Sequence, residues 1–134
     1  MDVIRRNTDY AMRLTAELVE NYGKCPISAR QLAKDCDVSY ELACKLLQKL
    51  SLAKLVKSSM GVNGGFELAK NPKDFSLYQV MAAAQGDICL NRCVPDAKRC
   101  PKGQKCKTRK KLVALQKYIE DYLSNIKLDE LLKG

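Results

Sequence analysis

The residues predict a mainly α-helical fold with one small β-hairpin, and three observations carry that expectation. Ser28 and Ser76 each follow a large apolar residue and each precede a glutamine by three positions, the pattern of a capped helix start. Behind Ser39, leucines at 42, 46, 47 and 50 recur at helical spacing. Two short apolar segments then flank a glycine-rich link that contains Asn63-Gly64, a strong hairpin signal. Helix, tight turn, helix and hairpin, in that order, make a winged helix-turn-helix. A long C-terminal helix completes the expected fold.

Each element has its own signal. Ala11, Leu14, Leu18 and Tyr22 form one apolar face of a first helix from about Thr8 to Tyr22, closed by Gly23 and Pro26. Ser28-Ala29-Arg30-Gln31 is a capping box with Ile27 and Leu32 as its hydrophobic staple, and it opens a short helix to Asp35. Cys36-Asp37-Val38 is the turn. The next helix begins near Ser39 and runs to about Leu52. Leu42, Leu46, Leu47 and Leu50 form its buried face, and Glu41, Cys44, Lys45 and Gln48 share the exposed one. Leu55-Val56-Lys57-Ser58 and Phe66-Glu67-Leu68 read as the strands of the wing. Ser76-Leu77-Tyr78-Gln79, with Phe75 and Val80 as the staple, opens a further helix. Leu112, Leu115, Ile119, Tyr122 and Ile126 follow at steps of three and four, a short seam suited to a second helix. That helix, at ~20 residues, would span ~30 Å. Three zones result: residues 1–85 as the winged helix, 86–108 as a cysteine-rich loop, and 109–134 as a dimerisation helix and tail.

Composition narrows the function. The chain has 134 residues, 24 lysines and arginines against 15 aspartates and glutamates, and a net charge of +9. Such an excess favours a polyanionic partner, double-stranded DNA first. There is no histidine, which excludes Ser-His-Asp and Cys-His catalysis and every imidazole zinc site. No enzyme is expected. Gly61-Val62-Asn63-Gly64-Gly65 lacks the spacing of a nucleotide-binding loop. No stretch approaches the ~20 apolar residues of a membrane helix, and the first residues do not read as a signal peptide. A cytoplasmic protein without membrane contact is expected.

Seven cysteines in a reducing compartment point to metal or redox chemistry rather than disulfide staples. Cys89, Cys93, Cys100 and Cys106 give C-x3-C-x6-C-x5-C. Four thiolates so spaced lack the paired C-x2-C steps of zinc knuckles but suit an iron–sulfur cluster, [2Fe–2S] or [4Fe–4S]. Nine lysines and arginines stand between Arg92 and Lys111, against Asp96 alone. Such charge can lower thiolate pKa values, balance an anionic cluster, or meet DNA phosphates. Cys25, Cys36 and Cys44 read as small buried apolar residues, with Cys44 the exception because it falls on the exposed helix face.

The chain resembles the Rrf2 family of bacterial winged-helix regulators, which includes iron–sulfur assembly regulators, nitric-oxide sensors and cysteine-metabolism repressors. The resemblance rests on Thr8-Asp9-Tyr10-Ala11-Met12-Arg13, the helix-turn-helix through Val38-Ser39, and the wing Gly64-Gly65-Phe66-Glu67-Leu68-Ala69. It also rests on the cysteine loop and on Ile126-Lys127-Leu128-Asp129-Glu130-Leu131. It implies a homodimer with crossed long helices and a cluster, in the loop before each long helix, whose state controls promoter DNA binding. The family's three cysteines map onto Cys93, Cys100 and Cys106. Where some members place a histidine ligand, this chain has Arg109. Cys89 and an Asp9 from the other subunit are then the candidates for the fourth ligand, with Cys89 preferred. Met60 stands where several members carry a wing arginine, and Cys44 where some carry a glutamate that filters base sequence.

On this reading Ser39, Tyr40, Glu41, Cys44 and Lys45 face base edges in the major groove. The wing from Ser58 to Asn63, with Ser59 and Asn63, meets the backbone or minor groove, and Lys49, Lys54 and Lys57 meet phosphates. The expected function is a cluster-controlled transcription regulator that senses redox state, nitric oxide or iron. Two alternatives stand beside it: a cluster-free thiol switch, and an electron-transfer or cluster-carrier protein on a winged-helix scaffold.

Overall fold

A computed structural model describes residues 3–90 and 105–133. The elements follow in the order α1 (Arg6–Glu20), α2 (Ala29–Asp35), α3 (Tyr40–Leu52), β1 (Val56–Ser59), β2 (Gly65–Leu68), α4 (Leu77–Gln85) and α5 (Arg109–Ser124). Short 3-10 segments lie at Pro72–Asp74 and Leu128–Lys133. A mainly helical fold with one antiparallel hairpin is therefore what the residues form.

α1 begins and ends two residues earlier than its apolar pattern suggests. Thr8, Ala11, Leu14, Thr15, Leu18 and Val19 form its buried face. Tyr22 falls in the following turn and is 43% exposed, so it is not part of that face. Gly23 takes a φ of +84° there, which L side chains rarely adopt.

The two helices of the helix-turn-helix end alike. After α2, Asp37 takes a φ of 56°, and the N–H groups of Asp37 and Val38 donate to the carbonyls of Lys34 and Ala33. After α3, Lys54 takes a φ of 64°, and Lys54 and Leu55 donate to Ser51 and Leu50. Each is a Schellman ending, in which a left-handed residue returns two N–H groups to the last helical carbonyls. Leu55 then packs in the core with Leu50, and Val38 with Ala33. Ser28 caps α2 by accepting from the Gln31 N–H at 3.2 Å. The Gln31 side-chain amide donates forward to Asp35 at 2.7 Å, and its oxygen does not accept from the Ser28 N–H, so only half of the predicted capping box forms there. At Ser76 both halves are present.

Ala43, Leu46, Leu47 and Leu50 bury the inner face of α3. Leu42 is only partly buried, packed at the margin of that core. In the hairpin, Val56 pairs with Leu68, Lys57 with Glu67, Ser58 with Phe66 and Ser59 with Gly65. The link turns at Gly61, whose carbonyl accepts from the Gly64 N–H at 3.0 Å, so Asn63-Gly64 closes a longer loop rather than forming a two-residue one. Phe66 also exchanges backbone hydrogen bonds of 3.0 and 2.7 Å with Ile27, which fixes the wing to the entry of α2.

α4 is held at both ends by distant chain. At its start, the Leu77 N–H donates to the Ile126 carbonyl, and the Leu128 N–H donates to the Phe75 carbonyl. Leu128 is fully buried in the main core. At its end, the Gln85 side chain accepts from the Arg5 N–H and the Thr8 hydroxyl and donates to the Val3 carbonyl.

α5 has no buried residue. Its 16 residues correspond to roughly 24 Å of helix, shorter than expected, and Ile126 lies beyond its end. Val113, Leu115, Tyr118 and Tyr122 are 38%, 48%, 70% and 61% exposed. Among the described residues no helix is long and apolar enough to cross a membrane.

Candidate nucleic-acid interface and cysteine segment

The outer face of α3 is polar and open. Tyr40, Glu41, Lys45 and Gln48 are exposed, and Cys44 is partly so. The Ser39 hydroxyl accepts from the Leu42 N–H at 3.3 Å, so its oxygen holds the helix start. The Cys44 thiol, one turn along, interacts with the Tyr40 hydroxyl, and this raises the phenol pKa above its ordinary value, against the lowering effect of the Arg30 charge. Arg30 itself lies over the Tyr40 ring, 4.4 Å from its centroid.

The lysines beside this face differ in their engagement. The Lys49 ammonium donates to the Ala84 carbonyl at 3.2 Å, which ties α3 to α4. Lys57 pairs with Glu67 across the hairpin at 3.6 Å, with both side chains in contact with solvent. Such a surface pair contributes little stability and opens readily to a phosphate. On the wing, Ser59, Met60, Val62 and Asn63 are exposed, and Met60 and Val62 are almost fully so. Gly65 takes a φ of +155°, and a Cβ there would meet the Ile27 backbone at 2.5 Å. Glycine at 65 thus lets the wing sit against the start of α2.

The cysteines divide into two groups. Cys25 is exposed in the turn before α2, and Cys36 and Cys44 are partly buried, so the expectation of a small buried residue fails for Cys25. It stands beside Asn63 and Gly64 of the wing, across an open cavity of about 430 Å³. Of the loop cysteines, Cys93 and Cys100 lie outside the described residues. Cys89 follows the buried Ile88, and the Cys106 thiol is 3.2 Å from the Thr108 hydroxyl. Among the described residues no three Cys, Asp or Glu side chains gather to hold a metal. Asp9, the alternative ligand, is exposed and pairs with Arg13 at 3.3 Å.

Both ends of the cysteine segment meet α5. The Leu90 N–H donates to the Gln116 side chain at 3.1 Å, and Cys106 stands just before the helix start at Arg109. Gln116 lies seven residues into α5, about 10 Å along its axis. The two ends are therefore held on one short stretch of helix, and a donor set made entirely of thiolates suits iron in a cluster.

The comparisons with known proteins agree with this geometry. The Rrf2 family, described as iron-dependent transcriptional regulators, matches residues 4–134. The HTH-type transcriptional regulator IscR of Pectobacterium atrosepticum is 27% identical over 125 residues, covering 93% of this chain and 76% of that protein. The structure of CymR, the global cysteine regulator of B. subtilis, superposes with a TM-score of 0.80 at 22% identity, covering 98% of this chain and 96% of that one. T. potens IscR does so with a TM-score of 0.78 at 24% identity, covering 97% and 85%. At those identities the two structures establish the shared fold. With the family match spanning nearly all of its length and a helix-turn-helix, wing and long helix in the same order, the chain belongs to the Rrf2 family of transcriptional regulators.

Proposed function

We propose that this regulator is a homodimer that binds promoter DNA under the control of an iron–sulfur cluster. The observation that carries the reading is the cysteine segment held at both ends on α5, a helix on which Val113, Leu115, Tyr118 and Tyr122 stay exposed. Cys89, Cys93, Cys100 and Cys106 would hold the cluster, which when bound supplies an iron centre responsive to redox state, nitric oxide or iron supply. The family's description as iron-dependent supports the metal. Ser39, Tyr40, Glu41, Cys44 and Lys45 read base edges, Ser59 and Asn63 approach the backbone, and Lys57 meets phosphate.

The test is anaerobic purification with absorbance, iron and sulfide analysis. Single replacement of Cys93, Cys100 or Cys106 by alanine removes the brown chromophore, whereas Cys25→Ala retains it. Three loop variants with wild-type spectra and iron content overturn the ligand set. A Cys89→Ser variant with full iron, beside an Asp9→Ala variant without it, moves the fourth ligand to the other subunit's carboxylate. A colourless wild-type protein whose DNA binding follows thiol oxidation establishes the cluster-free switch, a reading favoured by the exposed Cys25 beside the wing. A loaded protein with no salt-dependent DNA binding establishes the cluster carrier.

The DNA face has its own test. Lys45→Ala changes sequence preference, because its side chain lies among the base-reading residues. Lys57→Ala lowers affinity about equally on all duplexes and flattens the salt slope by about two, one contact from each subunit of the dimer. Identical behaviour of the two variants in a competition assay counts against the assignment.

A further inference from the structure

Three arginines stack on tyrosine rings, and two of them are otherwise engaged. Arg6 also donates to the Tyr10 hydroxyl at 3.0 Å, and Arg13 also pairs with Asp9. Arg30 lies over Tyr40 and, among the described residues, meets no carboxylate and no hydrogen-bond acceptor. The ring contact restrains its guanidinium, and among the described residues its N–H groups have no other partner. Both residues are exposed.

Their place in the fold says what those donors can reach. Arg30 is the second residue of α2 and Tyr40 the first of α3. In a helix-turn-helix the second helix enters the major groove while the first crosses the sugar–phosphate backbone. The stack therefore stands where the two helices part, at the rim between base edges and phosphates. A guanidinium presents a rigid fork that matches phosphate oxygens two at a time. Stacking on an aromatic ring holds that fork in one orientation, so less side-chain freedom is lost on binding.

We propose that Arg30 is a phosphate-contacting residue of the DNA interface and that the Tyr40 ring is its positioning residue. The inference rests on the DNA-binding reading above and adds a contact on α2, outside α3 and the wing. Tyr40 thereby has two uses: its edge and hydroxyl face the groove, and its ring face carries the arginine.

The test measures affinity as a function of salt for the full chain. One probe is a duplex enriched from a random pool by the wild-type protein, and the other is a random duplex of the same length. Arg30→Ala lowers affinity roughly a hundredfold on both, as expected for loss of one charge-assisted contact in each subunit of the dimer, and flattens the salt slope by about two. Arg30→Lys keeps the slope but recovers only part of the affinity, because an ammonium neither stacks as a plane nor pairs as a fork. In a double-mutant cycle, Arg30→Ala costs less in a Tyr40→Leu background than in the wild type. Thermal melts of the variants at the wild-type temperature exclude a folding defect, which exposed side chains would not cause. Wild-type affinity and slope in Arg30→Ala overturn the contact. A loss confined to the enriched duplex with an unchanged slope reassigns Arg30 to base reading and overturns it equally. Additive effects in the cycle remove the positioning role of Tyr40. A wild-type protein that binds neither probe overturns the DNA-binding reading itself.

Discussion

Cys36 closes α2, and its thiol is directed at the Arg13 carbonyl, 3.6 Å away. Burial, and then the charges of Glu17 and Asp35, push the thiol from an ordinary value of 9.0 up to about 11. At neutral pH it therefore stays protonated and is a poor nucleophile. Because the native pKa exceeds the unfolded one, the native chain holds this proton longer. Its contribution to stability is fully present below about pH 9 and is lost as pH rises toward about 11. Alkylation at pH 8, followed by mass spectrometry, should be slower at Cys36 than at the exposed Cys25, and Cys36→Ala should shrink the alkaline loss of stability. Equal alkylation rates at the two thiols would count against the burial argument. Spacing alone did not separate these two cysteines. Cys25 is exposed because Gly23 and Pro26 bend the chain into a turn around it, and a residue's usual preference for the interior carries no information about such a bend.

At the scale of elements, local chemistry was the most legible. Ser28, Ser39 and Ser76 all cap helices as their neighbours imply, since a cap needs only residues within one turn. The helix ends were less legible, because Asp37 and Lys54 take the left-handed positions where glycine is the usual signal. Lys54 holds a conformation strained for an L residue while its carbonyl partners are well made. Lys54→Gly should therefore stabilise the fold, by about 0.5–1 kcal/mol once glycine's greater unfolded freedom is counted, raising the melting temperature. Gly65→Ala should do the reverse, by about 1–3 kcal/mol, because its Cβ meets the Ile27 backbone and its φ is positive. A calorimetric scan of the two variants checks both signs. The half-formed box at Ser28 shows the competition that pattern reading misses: Gln31 has Asp35 one turn ahead as a second partner.

For the whole molecule, helical spacing revealed the apolar residues of α5 and the tail but not which surface each would meet. Leu128, two residues past the predicted seam, lies in the main core, whereas Leu115 and Tyr122 of the seam stay in solvent. The proposed homodimer makes a second copy of the chain the partner for this face and a two-fold site its DNA target. Leu115→Glu combined with Tyr122→Glu should give a monomer by sedimentation equilibrium, with the fold retained because neither side chain is in the core. Affinity for a duplex with two half-sites should fall roughly a hundredfold as the linked binding events separate, while a single half-site is bound as before. A double variant that sediments as a dimer would place the subunit contact elsewhere.

The clasp on α4 has a further consequence. Residues 3–8 grip its last turn through Gln85, and residues 126–128 grip its start. A nine-residue helix would ordinarily fray from both ends, exchanging its amide protons by local openings. Held in this way it behaves as a strut, and neither end can open without releasing chain that is distant in sequence. Its amides should therefore exchange with deuterium at the rate of global unfolding, and the residues that lead into the cysteine segment begin from a fixed point.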